Sequence, residues 1–385
     1  MRIRRAGAVV LALLATVVVV PEANGRGAAR PPAKAEPAFA WRKEAERAKF
    51  LKDVGGTEDS EKAVALGLLW LARQQKSDGG WEFDAGDKAE RVAATGLAVL
   101  TFLGAGETHT DKGKYQKTVE MGIAWLIKGM PLKGGNAGKL SGNAYAQGIG
   151  ALALVEAYAV TRDEKIEAAA QAAVDYIIKA QAANGSWGYS PGSAGDTSIT
   201  GWQVQALRVA QLTKTLLLPA ATLKKCGEFL DTTAGGKQKA VYGYIERAGA
   251  APGTSLTAVG LLCRHHLEGW GPKHEGMAEG VTGLVKRARN TTPTDSYFLY
   301  YASQVVRNFG GEEWETWNEG PKADDGTRKG GGVRDTLIGL QDKKPGPNQG
   351  SFPADAGYIG KSCGRLGTTC MYLMTLEVYY RYSSK

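Results

Sequence analysis

The sequence predicts an all-α protein, an α6/α6 toroid (α/α barrel) built from six helical hairpin repeats. Two complete copies of one pattern, at 70–81 and 176–187, contain an aromatic–aliphatic pair, a Gln and a Gly-x-Trp turn with identical spacing. Weaker copies return at intervals of roughly 50 to 55 residues, a period typical of repeat architectures. Each interval also contains two segments whose apolar residues recur at helical spacing. Together these observations predict six tandem helix pairs.

We interpret the repeated residues themselves as structural. A planar amide that spans two helix ends, with a ring stacked over it, supplies stiffness and no reactivity. The positions with this role are Trp70, Gln75 and Trp81 in the first repeat, Tyr176, Gln181 and Trp187 in the third, and Gln341 and Phe352 in the last.

The N-terminus has the features of a secretory signal and predicts three regions. Arg2, Arg4 and Arg5 precede an apolar run at 6–20 and a small-residue cleavage site at 23–25. We therefore expect a signal peptide at 1–25, a linker with a short peripheral helix at 26–56, and the toroid at 57–385. Export predicts a periplasmic or extracellular protein; an uncleaved signal would instead anchor it to the membrane, its only expected membrane contact.

Composition and charge narrow the classes of function. The 385 residues are 43% hydrophobic, enough for a large core. The net charge of +9 is compatible with an anionic partner, but no stripe of Lys or Arg alternates with aromatic residues, so we expect no nucleic-acid partner. Four Cys are too few for a disulfide framework, although one bridge is compatible with an exported chain.

The predicted helices fall into two sets. One set has apolar residues every three or four positions with charges between them, which predicts half-solvated outer helices at 60–76, 115–129, 165–182, 220–233, 274–287 and 330–341. The other set is almost uncharged, which predicts buried inner helices at 91–104, 143–160, 196–212, 254–268, 295–309 and 366–382.

The ends of the chain favour a closed ring over an open solenoid. The last inner helix, 366–382, has no outer helix of its own and is mostly apolar. An open solenoid would leave this apolar surface in water. The first outer helix, 60–76, can cover it if the ring closes.

The elements at 70–81 and 176–187 resemble the Gln-Trp repeat of squalene–hopene cyclases and the related protein prenyltransferase β-subunits. The resemblance covers about 57–385, with two complete copies and four degenerate ones. It implies a toroid whose inner helices surround an apolar cavity, and whose Gln and Trp residues brace neighbouring outer helices.

The catalytic acid that this resemblance implies is absent. Such cyclases protonate an alkene with an Asp of an Asp-x-Asp-Asp motif, which does not occur here. The nearest strings, at 84–87 and 324–325, lie off the inner helices and are not expected to face a cavity. Asp196 and Asp295 begin inner helices, where the expected role is an N-cap; a capping carboxylate is a poor general acid. Asp196 is the best candidate acid, followed by Asp295.

Cofactor chemistry is not expected either. Prenyltransferases hold Zn²⁺ with Asp, Cys and His, but here Cys263 and His266 share a helix face, with His274 near, and no third ligand is evident. Toroids of the complement type form a thioester from Cys-Gly-Glu-Gln, and the string that begins at Cys226 ends in Phe229 instead of Gln. We therefore predict no metal and no cofactor.

Alignment of the inner helices predicts the wall of the centre. Thr95, Gln147, Thr200, Thr257, Tyr300 and Thr369 fall at comparable levels. From this alignment we predict a ligand cavity lined by Tyr145, Gln147, Thr200, Trp202, Tyr297, Tyr300 and Tyr301. An aromatic, hydroxyl-bearing wall suits an apolar or isoprenoid ligand. The alternative is that these side chains fill a closed core.

The sequence is compatible with three functions and does not decide whether the protein is an enzyme. The leading one is an exported toroid that binds an apolar, isoprenoid-like ligand or a protein partner without cyclase chemistry. The second is a divergent isoprenoid cyclase that uses Asp196 or Asp295 as a lone acid and requires an open cavity. The third is a protein-interaction scaffold, suggested by the exposed-looking segment at 314–317 and by the loop that leads to Gly332.

Overall fold

The computed structural model describes residues 36–381 except 43, 87–89, 291–294 and 329. The predicted signal peptide, the linker up to residue 35 and Tyr382 lie outside the described residues. Within the described part, none of the helices combines the length and the apolar character that a membrane span requires.

The described residues form fifteen α-helices, a 3₁₀ turn at Ala40–Arg42 and one two-stranded hairpin. The helices are α1 Glu44–Asp53, α2 Glu58–Gln74, α3 Arg91–Gly104, α4 Gln116–Lys128, α5 Ala144–Thr161, α6 Glu164–Ala180, α7 Thr197–Thr213, α8 Ala220–Thr233, α9 Ser255–Glu268, α10 Glu275–Asn290, α11 Ser296–Phe309, α12 Gly311–Glu319, α13 Val333–Leu340, α14 Tyr358–Leu376 and α15 Val378–Arg381. The antiparallel strands β1 Ala234–Gly235 and β2 Val241–Tyr242 belong to the fourth turn.

The inner helices close into a ring, as predicted. In order, α3, α5, α7, α9, α11 and α14 each pack on the next, and α14 packs on α3. The outer helices α2, α4, α6, α8 and α10 each bridge two inner neighbours, and α12 and α13 share the remaining outer place. The predicted fold class, an all-α toroid of helical hairpins, is therefore confirmed.

The ring closes where α13 and α14 meet α2. The Gln341 amide donates from Nε2 to the carbonyl oxygen of Ala63 on α2, at 2.8 Å. On the inner side, Gly67 of α2 lies so close to Leu373 that a Cβ there would meet the Leu373 methyl groups. The first outer helix thus covers the last inner helix, as the sequence predicts.

Gln75, Gln181 and Gln341 each make the same two hydrogen bonds. Each Nε2 donates to the carbonyl of its own Gly turn and to a carbonyl on the next outer helix, over 2.8 to 3.0 Å. The acceptors are Gly79 and Thr118 for Gln75, Gly185 and Thr222 for Gln181, and Gly350 and Ala63 for Gln341. These amides link α2 to α4, α6 to α8 and α13 to α2.

The turn tryptophans face inward between the two layers. The Trp81 indole donates to the Leu71 carbonyl at 2.8 Å, and Trp187 makes the same bond to Ile177 at 2.7 Å. Both rings are buried, at 0% and 2% exposure. A buried indole with its N–H satisfied stabilises the turn and has no free group to offer a ligand.

The segment at 314–317 is buried, in contrast to the exposed surface suggested by the sequence. It lies in α12, where Trp314 and Trp317 are 6% and 2% exposed. Their indoles donate to the Val54 carbonyl and to the Ser303 hydroxyl, both at 2.9 Å. Residues three apart share one face of a helix, so both rings reach the toroid. The two tryptophans that suggested an interaction scaffold therefore stabilise the fold instead.

The predicted peripheral helix covers one end of the toroid rather than its outer side. Helix α1 packs on α15, and Arg42 just before it is buried at the C-terminal ends of the inner helices. The Arg42 guanidinium donates to Glu156 at 2.8 Å and to the Leu103 carbonyl at 3.1 Å. This end of the ring is closed by the chain itself.

Two further charged residues complete a buried ion cluster with Arg42 and Glu156. Arg381 donates to Glu377 at 3.0 Å and to Glu156 at 3.1 Å. The exposed fraction of all four side chains is 2% or less. Burial raises the pKa of Glu377 to about 8, an effect that Arg381 and Arg42 only partly offset.

The raised pKa of Glu377 predicts a pH-dependent stability. The folded state binds this proton more tightly than the unfolded chain does. Protonated Glu377 therefore stabilises the fold fully below the ordinary pKa of 4.5, and this stabilisation is lost as pH rises through about 8. Between these values we expect the free energy of unfolding to fall by up to about 1.4 kcal/mol per pH unit. Urea titrations should show this slope reduced in Glu377→Gln; equal slopes in the two proteins would contradict the assignment.

Candidate ligand-binding cavity

A cavity of about 540 Å³ lies at the N-terminal ends of the inner helices, opposite the ion cluster. Turns and first helical turns surround it: residues after the first Gly-x-Trp turn, the starts of α3, α5, α7 and α11, and the first part of α14. The other end of the ring is closed by Arg42 and its partners.

The inner part of the cavity is apolar. It is lined by Phe83, Ala93, Leu97, Ala146, Ile149, Trp202 and Met371. Trp202 is fixed by a stacked contact with Tyr300, with ring centroids 5.5 Å apart. The wall therefore offers aliphatic and aromatic surface in a rigid setting, which favours a ligand with a hydrocarbon body.

Five tyrosines line the outer part of the cavity: Tyr145, Tyr189, Tyr244, Tyr297 and Tyr358. Three of these tyrosines are well exposed at the mouth, with Tyr189 at 63%, Tyr244 at 41% and Tyr358 at 67%. The Tyr189 and Tyr244 hydroxyls share a hydrogen bond of 2.7 Å. Exposed aromatic rings around an opening provide an amphipathic entrance.

The first part of α14 reaches the mouth because the helix breaks at Gly364, whose φ is 65°. Asp84 stabilises the restart: its Oδ1 accepts from the Leu366 amide at 3.0 Å. The predicted start of the last inner helix, residue 366, is close to this restart. The preceding residues, including Tyr358 and Lys361, lie on the cavity wall instead.

Asp196 lies behind the tyrosines as the N-cap of α7. Its Oδ1 accepts from the amides of Ser198, at 2.8 Å, and Ile199, at 2.9 Å, and from the Ser198 hydroxyl. Tyr145 shares a 2.7 Å hydrogen bond with the same Ser198 hydroxyl. Oδ2 has no partner at standard hydrogen-bond geometry among the described residues, but Tyr244 interacts with the Asp196 carboxylate through a weaker hydrogen bond. Asp196 is 1% exposed and is connected to two residues that line the cavity, directly to Ser198 and through Ser198 to Tyr145.

The phenols around Asp196 stay protonated at neutral pH. Burial raises the pKa of Tyr145 and of Tyr297, and the Asp196 carboxylate adds to both increases. Burial also raises the pKa of Tyr244, with the Tyr189 hydrogen bond and Asp196 adding to it. The cavity wall thus presents neutral hydroxyl groups beside one buried carboxylate.

Three of the seven predicted lining residues, Tyr145, Trp202 and Tyr297, line the cavity. Gln147 and Thr200 do not. The Gln147 amide accepts from Leu140 N at 2.7 Å and donates to the Gly138 carbonyl at 3.0 Å. Gln147 therefore stabilises the turn of a repeat that has no Gln at the usual position.

The Thr residues predicted to lie at one level do so, but they face the turns instead of the centre. Each Oγ1 accepts the amide N–H of the aromatic residue in its turn, over 2.9 to 3.4 Å. The pairs are Thr95 with Trp81, Thr200 with Trp187, Thr257 with Tyr242, and Thr369 with Phe352. The alignment thus found a recurring geometry of the fold rather than a ligand contact.

Tyr300 and Tyr301 are also placed differently from the prediction. Both are 0% exposed, and their hydroxyls are hydrogen-bonded to Gln205 at 2.8 and 3.1 Å. Neither ring lines the cavity. They pack behind Trp202 and fix its orientation.

Asp295 is the N-cap of α11 and has both carboxylate oxygens occupied. Oδ1 accepts from Phe298 N, and Oδ2 accepts from the Ser255 hydroxyl and from Arg287, all at 3.0 Å. It does not line the cavity. The second candidate acid is therefore a structural ion pair.

Cavity residues that sequence reasoning missed lie two positions after the turn aromatics. Phe83, Tyr189 and Tyr244 follow Trp81, Trp187 and Tyr242 by two residues, and all three line the cavity. This repeated offset was the available signal. The charged lining residues Glu90 and Lys361 follow no such rule.

Within the described ranges, no cluster of three or more His, Cys, Asp or Glu residues is arranged to hold a metal ion. The four Cys are thiols rather than disulfides, and burial raises the pKa of Cys263 to about 12. Burial likewise lowers the pKa of His266. Neither residue lines the cavity.

Solved structures with this arrangement of helices are α/α-toroid enzymes of differing activity. Cellobiose 2-epimerase from Bacillus thermoamylovorans superposes with a TM-score of 0.54 and 10% identity, over 85% of this chain and 99% of that one. An inactive α-1,6-mannanase variant from Salegentibacter gives 0.52 and 12%, over 83% and 99%. A variant of the type II terpene cyclase MstE from Scytonema gives 0.50 and 14%, over 84% and 97%.

The chain is thus an α/α toroid. At these identities the likeness shows the fold alone, and a fold does not determine an activity. No protein-family model matches the sequence, and no curated protein matches it. The cavity itself is therefore the guide to function.

Proposed function

We propose that this protein is an exported toroid of the squalene cyclase–prenyltransferase repeat type, and that it binds an apolar, isoprenoid-like small molecule without cyclising it. The observation that carries the proposal is the cavity of about 540 Å³ with its apolar inner wall. Pockets for small organic ligands commonly occupy roughly 300 to 1,000 Å³ and combine apolar walls with a few polar groups. A filled core, the alternative from the sequence, would have no such space.

The charges of the wall favour this proposal over sugar hydrolysis. Glycosidases use a pair of carboxylates that flank the scissile bond. Among the described residues that line the cavity, Glu90 is the one carboxylate. Both of its oxygens accept from the Ser141 hydroxyl, at 3.2 and 3.1 Å. Asp196 does not itself line the cavity and lies behind Ser198.

Filling the cavity should remove binding. Ala146 is buried on the cavity wall, and an indole at this position would occupy the inner part. We expect Ala146→Trp to weaken the retention of radiolabelled geranylgeraniol by at least about tenfold. Leu132→Trp, on an exposed residue outside the cavity, is the matched control and should bind as the unaltered protein does.

A smaller substitution in the cavity controls for misfolding of the Ala146→Trp variant. Ala93→Leu adds less volume on the same wall and should weaken binding by a smaller factor while the circular dichroism spectrum stays helical. Full retention of the probe in both cavity variants, or no binding by the unaltered protein, would overturn the proposal.

Catalysis by a lone acid is the second candidate, because Asp196 is buried and is hydrogen-bonded to Ser198 on the cavity wall. A divergent cyclase would use it to protonate an alkene. Incubation with squalene and geranylgeraniol, followed by mass spectrometry, separates the two functions. Our proposal predicts no cyclic product; turnover that is lost in Asp196→Asn would replace it with the cyclase.

A further inference from the structure

Side chains join two inner helices that are not neighbours in the ring. In the order of packing, α9 lies between α7 and α11. Nevertheless Trp202 of α7 stacks on Tyr300 of α11, with ring centroids 5.5 Å apart and an angle of 16° between the planes. The Tyr301 ring, also of α11, lies edge-to-face against Trp202 at 5.7 Å and 76°. These contacts therefore cross the space that the inner helices enclose.

A buried amide holds both tyrosines in place. Gln205 of α7 is 2% exposed. Its Oε1 accepts from the Tyr300 hydroxyl at 2.8 Å, and its Nε2 donates to the Tyr301 hydroxyl at 3.1 Å. An amide with both ends paired has a single orientation, so the two rings behind Trp202 are fixed as well. We refer to Trp202, Gln205, Tyr300 and Tyr301 as the Trp202 cluster.

The Trp202 cluster forms one boundary of the cavity. The Trp202 ring lines the cavity, whereas Gln205, Tyr300 and Tyr301 do not. Among the described residues that line the cavity, none belongs to α9. The indole therefore lies between the cavity and the part of the ring in front of α9.

This boundary lies at the depth where the cavity ends. The deepest lining residues of α3, α5 and α7 are Leu97, Ile149 and Trp202, the seventh, sixth and sixth residues of their helices. At a rise of about 1.5 Å per residue, the cavity extends roughly 8 to 9 Å below the helix starts. Trp202 has the largest of these three side chains, and its ring is braced from behind. An apolar chain that enters from the mouth therefore meets a rigid ring at this depth.

We propose that Trp202 limits the length of the apolar chain that the cavity accepts, and that Gln205, Tyr300 and Tyr301 are positioning residues for its indole. A chain up to the limit lies wholly against the apolar wall, and a longer chain leaves its additional methylene groups in water at the mouth. This inference rests on the proposed function, because it concerns the same apolar ligand.

A series of unbranched 1-alkanols, from octanol to hexadecanol, measures the limit by displacement of radiolabelled geranylgeraniol. In the unaltered protein we expect each added methylene to strengthen binding by roughly fourfold up to the limit, and to leave it nearly unchanged beyond the limit. Trp202→Leu removes most of the ring and should move the limit to longer alcohols by about two methylene groups or more.

Two variants control for misfolding and for the loss of an aromatic ring. Trp202→Phe is a smaller change, and it should move the limit by less while the circular dichroism spectrum stays helical. Tyr189→Ala removes a ring from the mouth instead of the inner end. It should weaken all alcohols by a similar factor and leave the limit where it is.

Tyr300 tests the positioning role, because it contacts Trp202 without lining the cavity. Tyr300→Leu removes the ring on which the indole stacks and should lengthen the limit. Tyr300→Phe keeps that ring and should keep the limit. An unchanged limit in Tyr300→Leu would overturn the positioning role.

Two results would overturn the limit itself. One is an affinity that rises across the whole series in the unaltered protein, and the other is the same limit in Trp202→Leu as in the unaltered protein. If the unaltered protein retains neither geranylgeraniol nor any alkanol, the proposed function fails instead.

Discussion

Glu156→Gln is expected to lower the free energy of unfolding by about 3 to 5 kcal/mol, because it removes the shared anion of a buried ion cluster. Glu156 is 0% exposed and accepts from Arg42 at 2.8 Å and from Arg381 at 3.1 Å. Glu377, the other acid of the cluster, has a pKa raised to about 8 by burial. Removal of the Glu156 charge therefore takes away an anion that both buried guanidinium groups contact.

The measurement is urea unfolding followed by circular dichroism at about 222 nm, where helices absorb strongly. Glu58→Gln is the matched control, because the Glu58 side chain is 83% exposed and pairs only with Lys62 in a surface salt bridge. The control should change stability by no more than about 0.5 kcal/mol. A loss below about 1 kcal/mol in Glu156→Gln would show that the ion cluster is hydrated and that this end of the ring is not closed.

Gly350→Ala should destabilise the protein by about 2 to 4 kcal/mol, through the closure of the ring. Gly350 has a φ of +98°, a conformation that costs an L residue roughly 1 to 2 kcal/mol. A Cβ there would lie 2.2 Å from the Leu66 carbonyl of α2. The first outer helix would have to move away from the last turn, and the bond from Gln341 to Ala63 would weaken with it.

Gly339→Ala is the control for this substitution. Gly339 lies within α13, and no atom lies within 4 Å of a Cβ added there. Alanine in a helix interior is favoured over glycine by roughly 0.5 to 1 kcal/mol, so this variant should be as stable as the unaltered protein or more so. Similar unfolding midpoints for the two variants would contradict the proposed packing of α13 on α2.

The fold could be predicted from the sequence because each repeat encodes the same packing. The spacing of Gln75, Gln181 and Gln341 from their Gly turns fixed the hairpin boundaries, and the apolar character of 366–382 required a cover that only the first outer helix supplies. The hydrogen bond from Gln341 to Ala63 is the structural form of that argument. The repeat pattern did not predict helix α12, because α12 is an additional outer helix that the repeat does not contain.

The cavity was predicted at the right level but with part of its wall wrong. Helix α5 is buried on nearly all sides, so its composition gives the height of Gln147 along the axis without showing which way the side chain points. Tyr189, Tyr244 and Tyr358 lie on turns and on a broken helix start, where helical periodicity has no meaning. The ion cluster joins residues 42, 156, 377 and 381, and no local sequence pattern predicts ion pairs between residues so far apart in the chain.

A crystal structure of the protein with 12-bromododecanol would test the central claim, that the toroid holds an apolar ligand in the cavity at the N-terminal ends of its inner helices. The proposal predicts an anomalous bromine peak in the inner cavity, among Leu97, Ile149 and Met371, with the chain running out toward the tyrosines at the mouth. Bromine density only on the outer surface of the ring, with the cavity occupied by water alone, would contradict it.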